Sequence, residues 1–183
     1  MTTTKHFTIL QRRADEKLEY ADIHLNELRT YSNATSNDIG ENSHQESCFY
    51  HLAGAVEAIL HEINSGYGLD LSIDQVTWTR VREKLKQMKT SSPAFDLLDA
   101  LRSDEKSWLK LLFEWRNTGA HRKRVSKVIY ASTHQYVDNE FTDPRTGKLQ
   151  TVFPDLGCLS VLERLRDNVS QLIDECRTND PRI

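Results

Sequence analysis

Apolar residues recur at intervals of three and four positions along most of the chain, a spacing typical of amphipathic helices. The first predicted helix runs from about Thr8 to Tyr31 and the second from about Gln45 to Ser65. The apolar stripe of the first helix consists of Phe7, Leu10, Ala14, Leu18, Ala21, Leu25 and Leu28, and that of the second consists of Phe49, Leu52, Val56, Ile59, Leu60 and Ile63. The segment between them, about residues 32–46, is rich in Ser, Asn and Thr, and we predict a loop there.

Three further helices are predicted from the same periodicity. The third runs from about Ile73 to Lys89, the fourth from near Pro93 into residues 116–121, and the fifth from about Leu159 to Arg177. Their predicted core residues are Trp78, Val81, Leu85 and Met88, then Phe95, Leu98, Leu101, Trp108, Leu112 and Trp115, then Leu162, Leu165, Val169, Leu172 and Cys176. We expect the last residues, Thr178–Ile183, to fray.

The pattern changes between Val125 and Phe153. The segment Lys127–Tyr130 is rich in β-formers, and Phe141 and Leu149–Phe153 flank a turn-like stretch, Asp143–Gly147. We therefore predict a small antiparallel β-hairpin of two or three strands, inserted at residues 125–155 before the last helix. The predicted fold is a single domain over residues 1–183, mainly all-α, with about five helices in a bundle.

Composition limits the classes of function. Hydrophobic residues make up 38% of the chain and charged residues 28%, which suits one core with a solvated surface and leaves room for dimerisation. The net charge of -3 argues against a protein that coats nucleic acid non-specifically, so any such contact must use a local patch. No stretch approaches the roughly 18 apolar residues of a membrane span. We expect a cytoplasmic protein with no membrane association.

Sequence signals for metals and nucleotide cofactors are absent. The three cysteines, Cys48, Cys158 and Cys176, lie far apart and form no CxxC pair, which argues against a disulfide framework or a zinc knuckle. Cys48 and Cys176 lie on apolar helical stripes, where we expect buried free thiols. His61-Glu62 resembles the start of an HExxH motif, but the second histidine is missing. Glu57 and His61 lie one turn apart, and we interpret them as an ordinary helix-face pair. We expect neither a metal site nor a cofactor.

The segment Arg116-Asn117-Thr118-Gly119-Ala120-His121 carries the most suggestive chemistry. The Arg116 guanidinium is a planar fork of donors that suits a phosphate, and His121 can exchange a proton near neutral pH. Asn117 is placed to orient a ligand or the histidine. Composition alone predicts about 0.5 chance occurrences of this Arg–His spacing, so the spacing by itself carries no weight. The alternative is a charge cluster at a helix terminus.

Helix geometry sets a condition on this segment. Five positions on an ideal helix turn through about 140° net, so Arg116 and His121 diverge on a straight helix. We expect Gly119 to end or distort the helix, which would fold His121 back beside Arg116. A second copy of the segment across a dimer is the other way to assemble a site.

A basic stretch follows the segment. Arg122, Lys123, Arg124 and Lys127 lie within a run from Trp115 to Val137 that contains no Asp or Glu. Such a run attracts anions locally, and we predict these four side chains as RNA contacts.

The Arg116-Asn117-x-x-x-His121 pattern resembles the signature of the HEPN superfamily, small helical bundles of which many are metal-independent endoribonucleases in toxin–antitoxin, CRISPR and phage-defence systems. The resemblance implies a homodimer with two facing motifs. His121 would assist attack of the RNA 2′-hydroxyl on the adjacent phosphate, Arg116 would stabilise the phosphorane charge, and Asn117 would help to position these groups. The expected product carries a 2′,3′-cyclic phosphate.

Two other functions stay open. One is a non-catalytic dimeric module that binds protein or nucleotide. The other is an accessory protein of mobile or defence genes that needs a partner, such as an antitoxin nucleotidyltransferase.

Overall fold

The computed structural model describes residues 3–31, 39–121, 125–131 and 137–183, with side chains described at 12–31, 39–119, 125–128 and 140–183. Within these residues the chain forms six α-helices and a two-stranded antiparallel sheet. The elements in chain order are α1 (Thr3–Tyr31), α2 (Ile39–Tyr67), α3 (Trp78–Gln87), α4 (Pro93–Ser103), α5 (Trp108–His121), β1 (Lys127–Ala131), β2 (Val137–Phe141) and α6 (Cys158–Asn179). The predicted class, a mainly helical bundle with a small hairpin before the last helix, is confirmed.

Helix α2 lies at the centre of the bundle and contacts α1, α3, α4, α5 and α6. Helices α1 and α2 pack side by side in opposite directions, with Ala21 near Cys48 and Lys17 near Gly54. The predicted stripe of α2 is buried throughout, as are the described members of the α1 stripe; Phe7 and Leu10 lie outside the described side chains. All three cysteines are buried and form no disulfide, and the burial predicted for Cys48 and Cys176 is confirmed.

The polar segment before α2 is more helical than its composition predicts. Helix α2 begins at Ile39 rather than near Gln45, so the prediction of a loop through residue 46 is wrong for its second half. Asn42 and Gln45 are buried, and the Gln45 Nε2 donates to Glu41 at 2.7 Å, one turn earlier. These polar side chains are satisfied within the bundle, and this removes their preference for a loop.

The predicted fourth helix is two helices. The chain breaks between Ser103 and Trp108, where the Lys106 amide donates to the Asp104 carboxylate at 2.9 Å and the Leu109 amide donates to the Ser107 hydroxyl at 3.1 Å. These local side-chain bonds replace helical backbone bonds and start α5 afresh.

The third helix also differs from its prediction at both ends. It begins at Trp78 behind a separate 3₁₀ turn, Ile73–Gln75, because the Thr77 hydroxyl accepts the Arg80 amide and caps the helix there. Met88, predicted in the core, is 48% exposed.

The hairpin pairs Lys127 with Phe141 and Ala131 with Val137. The Asp143–Gly147 turn lies after β2 rather than between the paired strands, and the Gly147 amide donates to the Asp143 carbonyl at 2.8 Å. The prediction that Leu149–Phe153 is a strand is wrong, since only an isolated bridge joins Leu149 to Thr142.

The C-terminal segment is anchored by Asp180 and Ile183, whose side chains are buried, so the predicted fraying of residues 178–183 is wrong. Asp180 is 1% exposed and accepts hydrogen bonds from the Tyr67 hydroxyl at 3.0 Å and the Ser92 hydroxyl at 2.6 Å. A Cβ at Gly66 would lie 2.1 Å from the Arg182 carbonyl oxygen, so only glycine lets this segment approach α2. Polar pairing and close packing together hold the terminus.

Candidate functional site

The last turns of α5 are positioned by Trp115. Its side chain is fully buried, with ring centroids 5.1 Å from Phe49 of α2 and 5.3 Å from Phe141 of β2. Its indole N–H donates to the Thr142 carbonyl at 2.8 Å. Because a buried aromatic residue with a satisfied donor has little freedom, the neighbouring Arg116 starts from a fixed backbone.

Gly119 neither ends nor bends the helix, which corrects the expectation from sequence. Helix α5 continues through it to His121. A Cβ at Gly119 would lie 3.4 Å from the Glu46 Cγ, an ordinary van der Waals contact, so the packing of α5 against α2 does not itself require glycine here. On this continuous helix, positions 116 and 121 lie about 140° apart around the axis. The sequence offered two ways to bring Arg116 and His121 together, and the continuous helix excludes the one that needs a break at Gly119.

Arg116 is held from α2. Its guanidinium pairs with the Glu57 carboxylate, and its side chain is 19% exposed against 44% for Glu57. The guanidinium carbon also lies 5.4 Å from the centroid of the Phe113 ring. Glu57 is thus a partner of Arg116 as well as a neighbour of His61 on its own helix, and periodicity within α2 gave no sign of this.

A cleft lies between α2 and α5 beside Arg116. Its volume is ≈ 250 Å³, slightly below the usual range for small-molecule sites. The lining residues come from one face of each helix: Ser43, Glu46, Ser47, Tyr50 and His51 from α2, and Trp115, Arg116 and Gly119 from α5. Hydroxyls, a carboxylate, an imidazole, a phenol and a guanidinium therefore meet in a space that suits a small polar group.

His51 joins this cleft to a cluster of histidines between α1 and α2. The Nδ1 atoms of His24 and His44 lie 3.0 Å apart, and the His24 and His51 rings stack with centroids 5.4 Å apart. Burial lowers the pKa of His51 to about 4, with smaller contributions in the same direction from Lys17, His24 and Arg13. His51 is therefore neutral at pH 7.

The structure describes only some of the other predicted site residues. Asn117 is half-buried beside Arg116. The side chain of His121 lies outside the described side chains, and Arg122, Lys123 and Arg124 lie outside the described residues. Lys127 is 6% exposed, and its ammonium lies 3.1 Å from the Glu41 carboxylate.

Sequence reasoning missed Tyr50 and His51. A signal was present, because polar residues on α2 follow the three-to-four spacing of one helix face from Ser43 through Ser47 to Tyr50 and His51. That face is adjacent to the apolar stripe, whose periodicity dominated the interpretation.

Comparison with protein-family models, with curated proteins and with solved structures found no significant match for this chain. In the part of the chain that the structure describes, no helix combines the length and apolar character that a membrane span requires. The described side chains also contain no group of three or more His, Cys, Asp or Glu arranged to hold a metal ion.

Proposed function

We propose that the protein is a HEPN-like RNA-binding protein that acts in the cytoplasm as a metal-independent endoribonuclease, within a toxin–antitoxin or phage-defence system. The observation that carries the proposal is the position of Arg116, which lies in the last turns of α5 and lines a polar cleft. A guanidinium there suits a phosphate, and the acid-free stretch that follows attracts an RNA backbone.

The proposed reaction follows from the residue types. His121 takes the proton of the RNA 2′-hydroxyl, or protonates the leaving 5′-oxygen. The bond from O2′ to phosphorus forms, the bond from phosphorus to O5′ breaks, and the released O5′ takes up a proton. Arg116 stabilises the charge on the phosphorane, with Asn117 as the positioning group. The product is a 2′,3′-cyclic phosphate.

The continuous α5 adds a requirement for a homodimer. Since positions 116 and 121 diverge by about 140° on one helix, we infer that Arg116 of one protomer acts with His121 of its partner. An antitoxin-type protein is the proposed regulatory partner.

The test is cleavage of RNA in EDTA by wild type, His121→Ala and Arg116→Ala, with detection of the 2′,3′-cyclic phosphate. His61→Ala, further along α2 and outside the cleft lining, is the matched control. We expect wild type and His61→Ala to cleave and the other two variants to lose activity. Equal cleavage by wild type and His121→Ala, or no cleavage under any condition, would sink the nuclease proposal.

One observation favours the second candidate, a non-catalytic dimeric module. Arg116 is already paired with Glu57, as a structural arginine would be. If Arg116→Ala unfolds the protein and wild type has no nuclease activity, this second function is the better one.

A further inference from the structure

His51 lines the same cleft as Arg116, and the proposed nuclease chemistry does not use it. Its Nδ1 is buried and has no hydrogen-bond partner among the described atoms. A proton on Nδ1 would be a buried donor without an acceptor, which is more costly than an unpaired lone pair. The neutral ring therefore carries its proton on Nε2 and acts there as a donor.

Cations surround this side of the cleft. Lys17 and Arg13 of α1 both act on the charge of His51, and the Lys17 ammonium lies 5.0 Å from the centroid of the Tyr50 ring. His24 also faces His51, and it is itself disfavoured as a cation by burial, which lowers its pKa. This arrangement penalises a positive charge on His51 and favours an anion beside it.

Two carboxylates oppose an anion. Glu46 lines the cleft, and Glu57, whose side chain is 44% exposed, pairs with Arg116. Because the Glu57 carboxylate is 44% exposed, water can solvate it once it leaves Arg116, which lowers the cost of exchanging it for an incoming anion.

We propose that this cleft is a phosphate subsite for one nucleotide of an RNA strand. The His51 Nε2–H and the Arg116 guanidinium hold the phosphate oxygens. The Tyr50 ring, 56% exposed, packs against the adjoining sugar or base. The proposal of phosphate binding rests on the residues of the cleft, and the assignment of the ligand to RNA rests on the proposed function.

The first experiment is a calorimetric titration of the wild-type protein with inorganic phosphate and with thymidylyl-3′,5′-thymidine. The dinucleotide lacks a 2′-hydroxyl, so it reports binding without cleavage. We expect saturable binding of both, with the dinucleotide bound more tightly because of Tyr50. Equal affinity would assign the cleft to free anions and overturn the nucleotide assignment, and no saturable binding would overturn the subsite.

Substitutions then test which residues of the cleft contribute to dinucleotide binding. Arg116→Ala and His51→Phe should each weaken dinucleotide binding about tenfold or more, the value of a hydrogen bond to a charged group. Glu57→Gln should strengthen it, since the competing anion is lost. The matched controls are Glu83→Gln, which removes an exposed carboxylate of α3 outside the cleft lining, and His61→Phe, which changes a ring on α2 outside the cleft lining. Wild-type affinity in His51→Phe, or equal gains from Glu83→Gln and Glu57→Gln, would overturn the proposal.

A wild-type measurement decides the case if His51→Phe does not fold. The His51 ring titration, followed by ¹H–¹⁵N NMR, should start from a pKa of about 4 and move upward in saturating phosphate. An unchanged titration would count against the subsite.

The two proposals fail separately. Dinucleotide binding without any RNA cleavage refutes the nuclease and leaves the subsite. RNA cleavage with a dinucleotide affinity that His51→Phe leaves unchanged refutes the subsite and leaves the nuclease.

Discussion

Helix α2 carries two glutamates that each pair with an arginine of another helix, in contrasting surroundings. Glu62 is fully buried, and both of its oxygens accept from Arg177 of α6, at 3.2 and 3.0 Å. Glu57 is 44% exposed and pairs with Arg116 of α5. The same pair of residue types is thus built into the core at one place and left at the edge of a cleft at the other.

The two ion pairs differ in what stabilises the glutamate carboxylate in place of water. Burial raises the pKa of Glu62, and Arg177 acts in the opposite direction by stabilising the carboxylate. Arg177 also reaches Asp15 of α1 at 3.0 Å, so one arginine ties α6 to both α1 and α2. Removal of a partner there leaves an uncompensated charge in the core. The two arginines are about equally buried, at 19% exposure for Arg116 and 21% for Arg177, so the pairs differ in the carboxylate: Glu57 keeps access to water and Glu62 does not.

The largest loss of stability should come from breaking the buried pair of Glu62 and Arg177. Arg177→Ala leaves Glu62 unpaired and should lower the free energy of unfolding by roughly 3–5 kcal/mol. Arg116→Ala is the matched control and should cost at most about 1 kcal/mol. Urea unfolding followed by circular dichroism measures both. Similar losses in the two variants would mean that Arg116 is as structural as Arg177.

The C-terminal network should show the next largest effect. Asp180→Ala strands the Tyr67 and Ser92 hydroxyls in the core, and we expect a loss of about 1–3 kcal/mol. Asp174→Ala, at an exposed position of α6, should stay within about 0.5 kcal/mol. A wild-type midpoint for Asp180→Ala would show that the terminus contributes nothing to stability.

Lowering the pH should reduce the free energy of unfolding through His51. Its folded pKa of about 4 lies below the ordinary 6.5, so between these values the unfolded chain binds a proton that the folded chain excludes. Stability therefore falls as the pH drops through this window and is unaffected above it. His51→Gln should lose less stability than wild type between pH 7 and pH 5, with no such difference between pH 8 and pH 7. Parallel losses in both proteins would place the acid sensitivity elsewhere.

The smallest effect should come from Glu57→Gln. Glu57 itself is 44% exposed, and Arg116 keeps its contact with the Phe113 ring, so the free energy of unfolding should change by less than about 1 kcal/mol. Glu83→Gln, which removes an exposed pair with Arg80, is the control. A loss in Glu57→Gln as large as in Arg177→Ala would remove the distinction between the two pairs.

Local pattern predicted most of the helices but few of their ends. The stripes that contain Leu52 and Leu162 are buried as periodicity predicts, because a helix has only one way to bury residues spaced by three and four. The break at Asp104 and the early start at Ile39 were missed, since both depend on side-chain hydrogen bonds that compete with or support the backbone.

The sequence by itself determined the helical class, the hairpin before the last helix and the presence of Arg116 near a helix end. These features follow from local spacing and turn chemistry. Only the tertiary structure decided that Gly119 lies within a continuous helix, that Glu57 holds Arg116, and that His51 shares its cleft. The reason is physical: periodicity shows which face of a helix is buried, whereas the partner of each side chain depends on which helices meet and how closely their backbones approach.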